Sequence, residues 1–287
     1  MNFQNTDGYT KPFPSSNVTI IIPRKGLRAL DWKGLYEFRD LFFFLVFRDV
    51  RIRYAQSVLG VGWAIIQPVF SMLVFTVVFG RLAQVSSDGE KYSLFALAAL
   101  VPWTYFANAV LEGVNSLITN ANMISKVYFP RVILPLSAVC SRLFDLLIAL
   151  TLLLIVLVFN SRLPNWGILL LPYLILILAI TAAGLSMWCA SLAVQYRDVK
   201  YAMAFGIQLL MYLAPVVYPA SLVPTEYQSV YAINPLVGVI EGFRSSLLGT
   251  REMPWGLIAI GSASAACIAA SGLIYFQSRE RLIADVA

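Results

Sequence analysis

Residues 59–80, LGVGWAIIQPVFSMLVFTVVFG, form an apolar stretch of 22 residues without a charged side chain. A helix rises 1.5 Å per residue, so about 20 residues cross the ~30 Å hydrocarbon core of a bilayer. The stretch therefore predicts a first membrane span. Gln67 and Pro68 lie in its middle, where a proline removes a backbone hydrogen bond and favours a kink that neighbouring helices must satisfy.

The preceding stretch, 32–51, has the periodicity of an amphipathic helix, and with the connector that follows it forms segment 32–58. One face carries Leu35, Phe38, Phe42, Leu45 and Val46, and the opposite stripe carries Lys33, Glu37, Asp40, Arg48 and Arg51. Phe44 interrupts the polar stripe. A helix of this kind with basic flanks is typical of a segment that lies in the membrane surface. The alternative is a helix of a soluble core.

The overall composition is that of a polytopic membrane protein. Of the 287 residues, 59% are hydrophobic and 13% are charged, and the mean hydropathy is +0.76; soluble domains have far more charge. The net charge of +6 could suggest a nucleic-acid partner. However, the basic residues lie in segments that alternate with the apolar runs, so membrane topology explains them and no nucleic-acid partner is predicted.

Further apolar runs predict spans over 92–111, 132–159, 166–194, 201–218 and 254–276. Together with 59–80 they predict an all-α membrane protein with six transmembrane helices and both termini on one side. The polar residues 1–31 predict a mobile N-terminal segment, and 277–287 predict a short tail.

The distribution of Lys and Arg predicts the orientation. The N-terminal segment, the loops 115–131 and 195–200 and the C-terminal tail together hold 15 basic residues, whereas the segments on the opposite side hold 5. Basic residues favour the cytoplasmic side of a membrane. The sequence therefore predicts a multi-pass protein of the bacterial cytoplasmic membrane with both termini in the cytoplasm.

The sequence contains little that could support catalysis. It has no histidine, and its three cysteines are far apart in apolar runs, so neither a metal site nor a catalytic residue is predicted. The phosphate-binding pattern G-x-x-x-x-G-K-[ST] is also missing from the sequence. If the function needs ATP, another subunit must bind it. An enzyme within the bilayer that uses Asp145 or Glu112 as an acid is the remaining catalytic alternative.

Arg142 and Asp145 are three residues apart inside the third predicted span, so they can face one another on a helix. Charges within a membrane are costly and are usually paired or turned toward a cavity. The favoured interpretation is a mutually neutralising pair near the cytoplasmic end of the span. The functional alternative is a contact in a transport pathway or gate.

Segment 219–253 is too apolar for an ordinary loop and too rich in proline to cross the membrane as one helix. It predicts one or two short re-entrant helices on the outer side, which form an external gate with Asn234, Pro235, Glu241 and Arg244. The alternative is a helical cap on the outer surface. Non-helical backbone at membrane depth needs protein or water around it.

Aromatic residues make up 13% of the chain. The candidates for a substrate channel are Trp63, Phe70, Trp103, Tyr105, Phe205, Tyr212 and Tyr218. A channel lined by flat rings would let sugar residues slide past without tight binding. The alternative is the more frequent role of aromatic residues in packing and at membrane interfaces.

Several short motifs follow one another along the chain. They are RDVR (48–51) with Tyr54, LG (59–60) with Trp63 and Gln67-Pro68, KVYFPR (126–131) with Leu134-Pro135, YRDV (196–199) and NPL (234–236). With these motifs the chain resembles the transmembrane permease subunits of bacterial ABC exporters for cell-surface polysaccharides. The resemblance covers residues 35–276.

The resemblance implies a homodimer that pairs with two ABC ATPase subunits, which bind ATP and Mg. It implies that a cytoplasmic coupling helix near 120–131 docks on the ATPase, with coupling residues Lys126, Tyr128, Phe129, Arg131, Arg48 and Arg51. The implied substrate is a lipid-linked polysaccharide, with O-antigen first and capsular polysaccharide or teichoic acid as alternatives. A drug or small-lipid exporter of the same superfamily is the competing class.

Overall fold

The computed structural model describes residues 36–55, 60–162, 166–249 and 251–286, and this part of the chain contains helices and no strands. The helices are α1 Arg39–Tyr54, α2 Gly62–Phe75, α3 Tyr92–Thr119, α4 Ala121–Ile124, α5 Ile133–Phe159, α6 Leu171–Gln195, α7 Val199–Leu213, α8 Thr225–Tyr231, α9 Pro235–Leu248 and α10 Trp255–Val286. A π-helix, Thr76–Leu82, continues α2, and 3₁₀ turns form at Trp166–Leu170 and Ala220–Leu222. The predicted all-α class is confirmed. The predicted mobile segment 1–31 lies outside the described residues.

Five helical stretches of the described chain are long and apolar enough to cross a bilayer. They are Gly62–Leu82, Tyr92–Thr119, Ile133–Phe159, Trp166–Gln195 and Trp255–Glu280. Each corresponds to one of the predicted spans. The second is longer than predicted, because the helix continues through Glu112 to Thr119.

The prediction of one span over 201–218 is wrong in its C-terminal part. Helix α7 has 15 residues, which is about 22 Å at 1.5 Å per residue and short of the ~30 Å hydrocarbon core. It ends at Leu213 because Pro215 follows, and the residue before a proline favours extended backbone. Ala214 accordingly has φ −103° and ψ 153°. The chain from 214 to 219 is irregular and largely buried.

Helix α3 is the centre of the bundle. Most of it is buried, whereas hardly any of the stretch Gly62–Leu82 is. Helices α2, α5, α6, α7 and α9 all pack against α3, and α10 packs against α6 and α9. A helix that is apolar all round is expected in the interior. The equally apolar α2 remains on the outside, so its surface must be covered by lipid or by another chain.

Helix α1 packs on α5 and differs from the amphipathic prediction. Phe42 and Leu45 face the bundle as predicted, and Leu45 is fully buried. Phe44 and Phe47, however, are exposed on the other side. Successive helical residues point about 100° apart. The run Phe42-Phe43-Phe44 therefore places rings on both faces, and the helix has no purely polar stripe. Lys33 and Leu35 lie outside the described residues.

Helices α6 and α10 approach each other closely at small residues. A Cβ atom added to Gly184 would lie 2.6 Å from the Cα atom of Ala269, and one added to Gly272 would lie 2.2 Å from the carbonyl oxygen of Gly184. Small residues let helix backbones approach in this way.

Replacing Gly184 with alanine is expected to force α6 and α10 apart and to lower the thermal unfolding temperature of the detergent-solubilised protein. The free-energy cost is about 1–3 kcal/mol, the usual cost of overpacking. The control is Gly206→Ala on α7, where an added Cβ atom meets no atom within 4 Å. Because alanine favours a helix over glycine, this control is expected to be neutral or stabilising by up to about 1 kcal/mol. Equal effects of the two changes would contradict the close packing.

Candidate functional site

Four charged side chains from three helices meet at the junction of α1, α3 and α5. Arg53 contacts Glu112 at 2.8 Å and Asp145 at 3.1 Å, and Arg142 contacts Asp145 at 3.0 Å and also reaches Glu112. The predicted partners Arg142 and Asp145 are thus paired, but as half of a larger group. We call Arg53, Glu112, Arg142 and Asp145 the four-charge cluster. Its two positive and two negative charges cancel.

Two neutral side chains complete the hydrogen bonding of this cluster. The Tyr54 hydroxyl donates to Asp145, and Arg53 donates to the Ser141 hydroxyl at 3.0 Å. Burial, followed by the bond to Asp145, raises the pKa of Tyr54 to about 12, so the phenol stays protonated at neutral pH. Burial opposes the charge of Arg53, but Glu112 and Asp145 together raise the pKa of its guanidinium. The C-terminal end of α1 is therefore fastened to the bundle by charge-assisted bonds.

A second ion pair lies within the segment predicted as an external gate. Arg244 contacts Glu241 at 2.9 Å, and both side chains are almost fully buried. The Arg244 guanidinium also lies 3.5 Å from the centre of the Phe95 ring. Buried charges of this kind need a partner and complete hydrogen bonding.

The buried pair supplies hydrogen bonds to irregular backbone. Arg244 donates to the carbonyl oxygen of Val216 at 3.0 Å and to that of Tyr218 at 3.4 Å. Glu241 accepts from the backbone N–H of Ala220 at 3.0 Å. Within a membrane protein, non-helical backbone persists only where protein satisfies its polar groups. We call Glu241 and Arg244 the backbone clamp, because they hold the segment that follows α7.

The other two residues of the predicted gate begin α9. The Asn234 side chain accepts a hydrogen bond from the backbone N–H of Leu236 at 3.2 Å, and Pro235 occupies the first turn, where its missing N–H costs nothing. Every residue of α9 is buried, so this helix is part of the protein interior.

The predicted coupling residues divide into two groups. Lys126 and Tyr128 are exposed after the short helix α4, and Arg51 is exposed on α1. The other three are engaged within the protein. Phe129 is buried, Arg48 is paired with Asp49 at 2.8 Å, and the Arg131 guanidinium donates to the backbone carbonyl of Glu280 near the end of α10. The exposed group is free to meet a partner, and the engaged group positions the loop.

The predicted channel aromatics divide into exposed and buried groups, although Trp63 and Tyr105 line a common cavity between α2 and α3. Exposed rings belong to α2 and α7, namely Trp63, Phe70, Phe205 and Tyr212. Trp103 and Tyr105 are buried on α3. The Tyr218 hydroxyl donates to the backbone carbonyl of Tyr212 at 3.0 Å. Helices α2 and α7 both pack against α3, so the exposed rings flank the buried helix.

The sequence analysis missed Arg53 and Tyr54 as partners of the predicted pair. It considered Glu112 as a residue in the membrane interface or as an acid of the enzyme alternative, and did not connect it with the pair. Arg53 and Glu112 are 59 residues apart, so no local pattern joins them. One signal was available. Glu112 is the only charged residue of the long helix Tyr92–Thr119, and such a residue needs a cationic partner.

The chain is similar in sequence to known membrane transport proteins. The family model described as ABC-2 type transporter matches residues 40–248. The O-antigen export system permease protein RfbA of Myxococcus xanthus is 27% identical over 88% of this chain and 98% of its own length. RfbA of Klebsiella pneumoniae is 27% identical over 71% of this chain and 79% of its own length. The polysialic acid transport protein KpsM of Escherichia coli is 24% identical over 71% and 80% of the two chains.

Proposed function

We propose that O-antigen is the substrate of this chain, which belongs to the ABC-2 type transporter family and is a permease subunit of a polysaccharide exporter. The observation that carries the proposal is the match to the M. xanthus O-antigen permease over 98% of that protein's length. The polymer would move as a lipid-linked chain across the bacterial cytoplasmic membrane. The chain would cross the membrane six times, with both termini in the cytoplasm. Helix α7 and the irregular segment after it would together form the fifth crossing.

The partners would be a second copy of this chain and two ABC ATPase subunits that hold ATP and Mg. The exposed apolar surface of α2 supports a homodimer, since it is unburied within one copy. The exposed Lys126 and Tyr128 support a docking site for the ATPase. ATP binding would then bring the two ATPase subunits together and move α1 and the loop at 120–131. ATP can shift the transporter between two conformations only if it binds them with different affinities.

Capsular polysaccharide is the second candidate substrate, because the polysialic acid transport protein KpsM also matches this chain. None of the relatives named above favours teichoic acid, a drug or a small lipid as the substrate. An acid role for Glu112 or Asp145 has less support than transport, because each carboxylate is held by arginine.

The substrate is tested by deleting the gene from its host. We expect surface polysaccharide to disappear while lipid-linked polymer accumulates inside the cell, and a plasmid copy of the gene to reverse both effects. The sugar composition of the accumulated polymer then separates O-antigen from capsule. Unchanged surface polysaccharide would overturn the proposal and favour export of a small molecule.

Charge reversal at Lys126 is expected to uncouple ATP hydrolysis from export. Lys126 is exposed beside Tyr128, so Lys126→Glu would leave the fold intact and place a negative charge at the docking surface. A misplaced charge at an interface weakens binding by more than 1.4 kcal/mol, which is roughly tenfold. We expect export in cells to fall at least roughly tenfold while membrane insertion is unchanged.

The control for this prediction is Lys91→Glu. Lys91 is also exposed, but it lies in the loop before α3 and donates to Asn160 at 3.0 Å. Normal export by the Lys126 variant, or an equal loss in both variants, would contradict a docking role for Lys126. Arg131→Glu is less selective, since it also breaks the contact with Glu280.

A further inference from the structure

A cavity of about 270 Å³ lies beside the four-charge cluster, between α2, α3 and α5. Arg142 and Asp145 bound one end of it, and the indole ring of Trp63 forms part of the wall. Small-molecule pockets have volumes of ~300–1,000 Å³. The cavity therefore has room for one ring-sized group and is too small for a polymer to thread through.

Besides the charged residues and the hydroxyls of Tyr54 and Tyr105, the cavity is lined by Gln67 from α2 and by Thr104 and Asn108 from α3. Within the described part of the chain the Gln67, Thr104 and Asn108 side chains make no hydrogen bond. Pro68 lines the same cavity, and because a proline has no N–H it leaves the carbonyl group of Ala64 without its usual helix donor. The wall thus offers amide and hydroxyl groups that require partners at membrane depth.

The charges beside the cavity decide which class of ligand suits it. The four-charge cluster is neutral overall, and both of its guanidinium groups are already bound by carboxylates. A phosphate or carboxylate group would have to displace one of these pairs. An uncharged group with several hydroxyls needs no such displacement, since hydroxyls both donate to and accept from amides. The remaining wall is apolar, including Val101 and Leu146, and suits the C–H face of a ring.

We propose that this cavity binds a single uncharged sugar residue, held by Gln67, Thr104 and Asn108 and covered by Trp63. The inference rests on the proposed function, because it assigns to each permease chain a site for one sugar unit of its lipid-linked substrate. All of its lining residues belong to one copy of the chain, with Trp63 and Gln67 also exposed on the outer side of α2, and the site is separate from the exposed rings of α7. The bound sugar lies next to the four-charge cluster, which joins the end of α1 to the bundle.

The test is photo-crosslinking of the full-length permease, assembled with its ATPase in lipid nanodiscs. The probe is octyl β-D-glucopyranoside with a diazirine on the alkyl chain next to the sugar, and the comparison probe carries phosphocholine instead of glucose. We expect the glucoside to label peptides of α2 and α3 around Trp63 and Thr104. Loss of one hydrogen bond weakens binding about fivefold, so Gln67→Leu and Asn108→Leu should each reduce labelling by that factor.

The matched control is Asn115→Leu, on the same helix but outside the cavity, where the amide donates to the backbone carbonyl of Leu111 at 2.8 Å. Its labelling should equal that of the unchanged protein. If Asn108→Leu does not fold, Thr104→Val removes a hydroxyl with little change in volume and should show the same reduction. Equal labelling by both probes, or labelling that the cavity variants do not reduce, would overturn the sugar site.

The gene deletion separates this inference from the proposed function. Loss of surface polysaccharide together with non-selective labelling would overturn the sugar site alone. Selective labelling together with unchanged surface polysaccharide would overturn polysaccharide export and leave the sugar site in place.

Discussion

Replacing Arg244 with methionine is expected to destabilise the folded permease severely. Methionine fills a similar volume but leaves Glu241 as an uncompensated buried charge and releases the carbonyl groups of Val216 and Tyr218. Removing one partner of a buried ion pair costs about 3–5 kcal/mol, which is a large part of the ~5–15 kcal/mol stability of a typical domain. The measurement is thermal unfolding in detergent, together with the amount of full-length protein in membranes.

The control is Arg251→Met. Arg251 is half-exposed and contacts Asp88 at 3.0 Å, so its loss is expected to cost less than about 1 kcal/mol. The double change Glu241→Gln with Arg244→Met should recover part of the lost stability, because no charge is then left buried. Equal unfolding temperatures for the two single variants would show that the backbone clamp does not hold the segment after α7.

Replacing Glu112 with glutamine is expected to detach the end of α1 from the bundle. The shape is kept, but Arg53 and Arg142 are then left to share Asp145 and the four-charge cluster gains a net positive charge. The cluster is partly exposed, so the cost is about 2–3 kcal/mol, below that of a fully buried pair. We expect faster hydrogen exchange along Arg39–Tyr54 and a loss of export, with α3 itself unchanged.

The matched control is Glu226→Gln on the short helix α8. Glu226 is exposed and makes no ion pair within the described residues. Its replacement should alter neither hydrogen exchange in α1 nor export. Unchanged exchange in the Glu112 variant would mean that packing of Phe42 and Leu45 alone holds α1 in place.

The membrane spans could be predicted from the sequence because they depend on a local property, the length of an uncharged run. The error at α7 was also local, since Pro215 stood in the sequence and its effect on Ala214 was overlooked. The two-sided character of α1 follows from three consecutive phenylalanines and could have been read in the same way. These features required no knowledge of the tertiary structure.

The site was less predictable because its members are distant in sequence. Arg142 and Asp145 share a helix and could be paired by spacing, but Arg53 and Glu112 reach them only through the packing of α1 and α3 on α5. Likewise, Glu241 and Arg244 were predicted as gate residues, but the bonds of Arg244 to Val216 and Tyr218 were missed because that segment was predicted to be helical. Hydrogen bonds to irregular backbone cannot be anticipated until the helix is known to end.

Helix α10 connects the loop that follows α4 with helix α9. Its 32 residues run without a proline for about 48 Å, well beyond the ~30 Å hydrocarbon core. Near its beginning, Leu257 and Ile258 lie against Gly238 of α9, and near its end Glu280 is bonded to Arg131. A helix without a proline resists compression along its axis, so α10 can transmit a displacement from one of its ends to the other. A displacement of the loop that contains Arg131 would therefore reach α9 at the opposite end of α10.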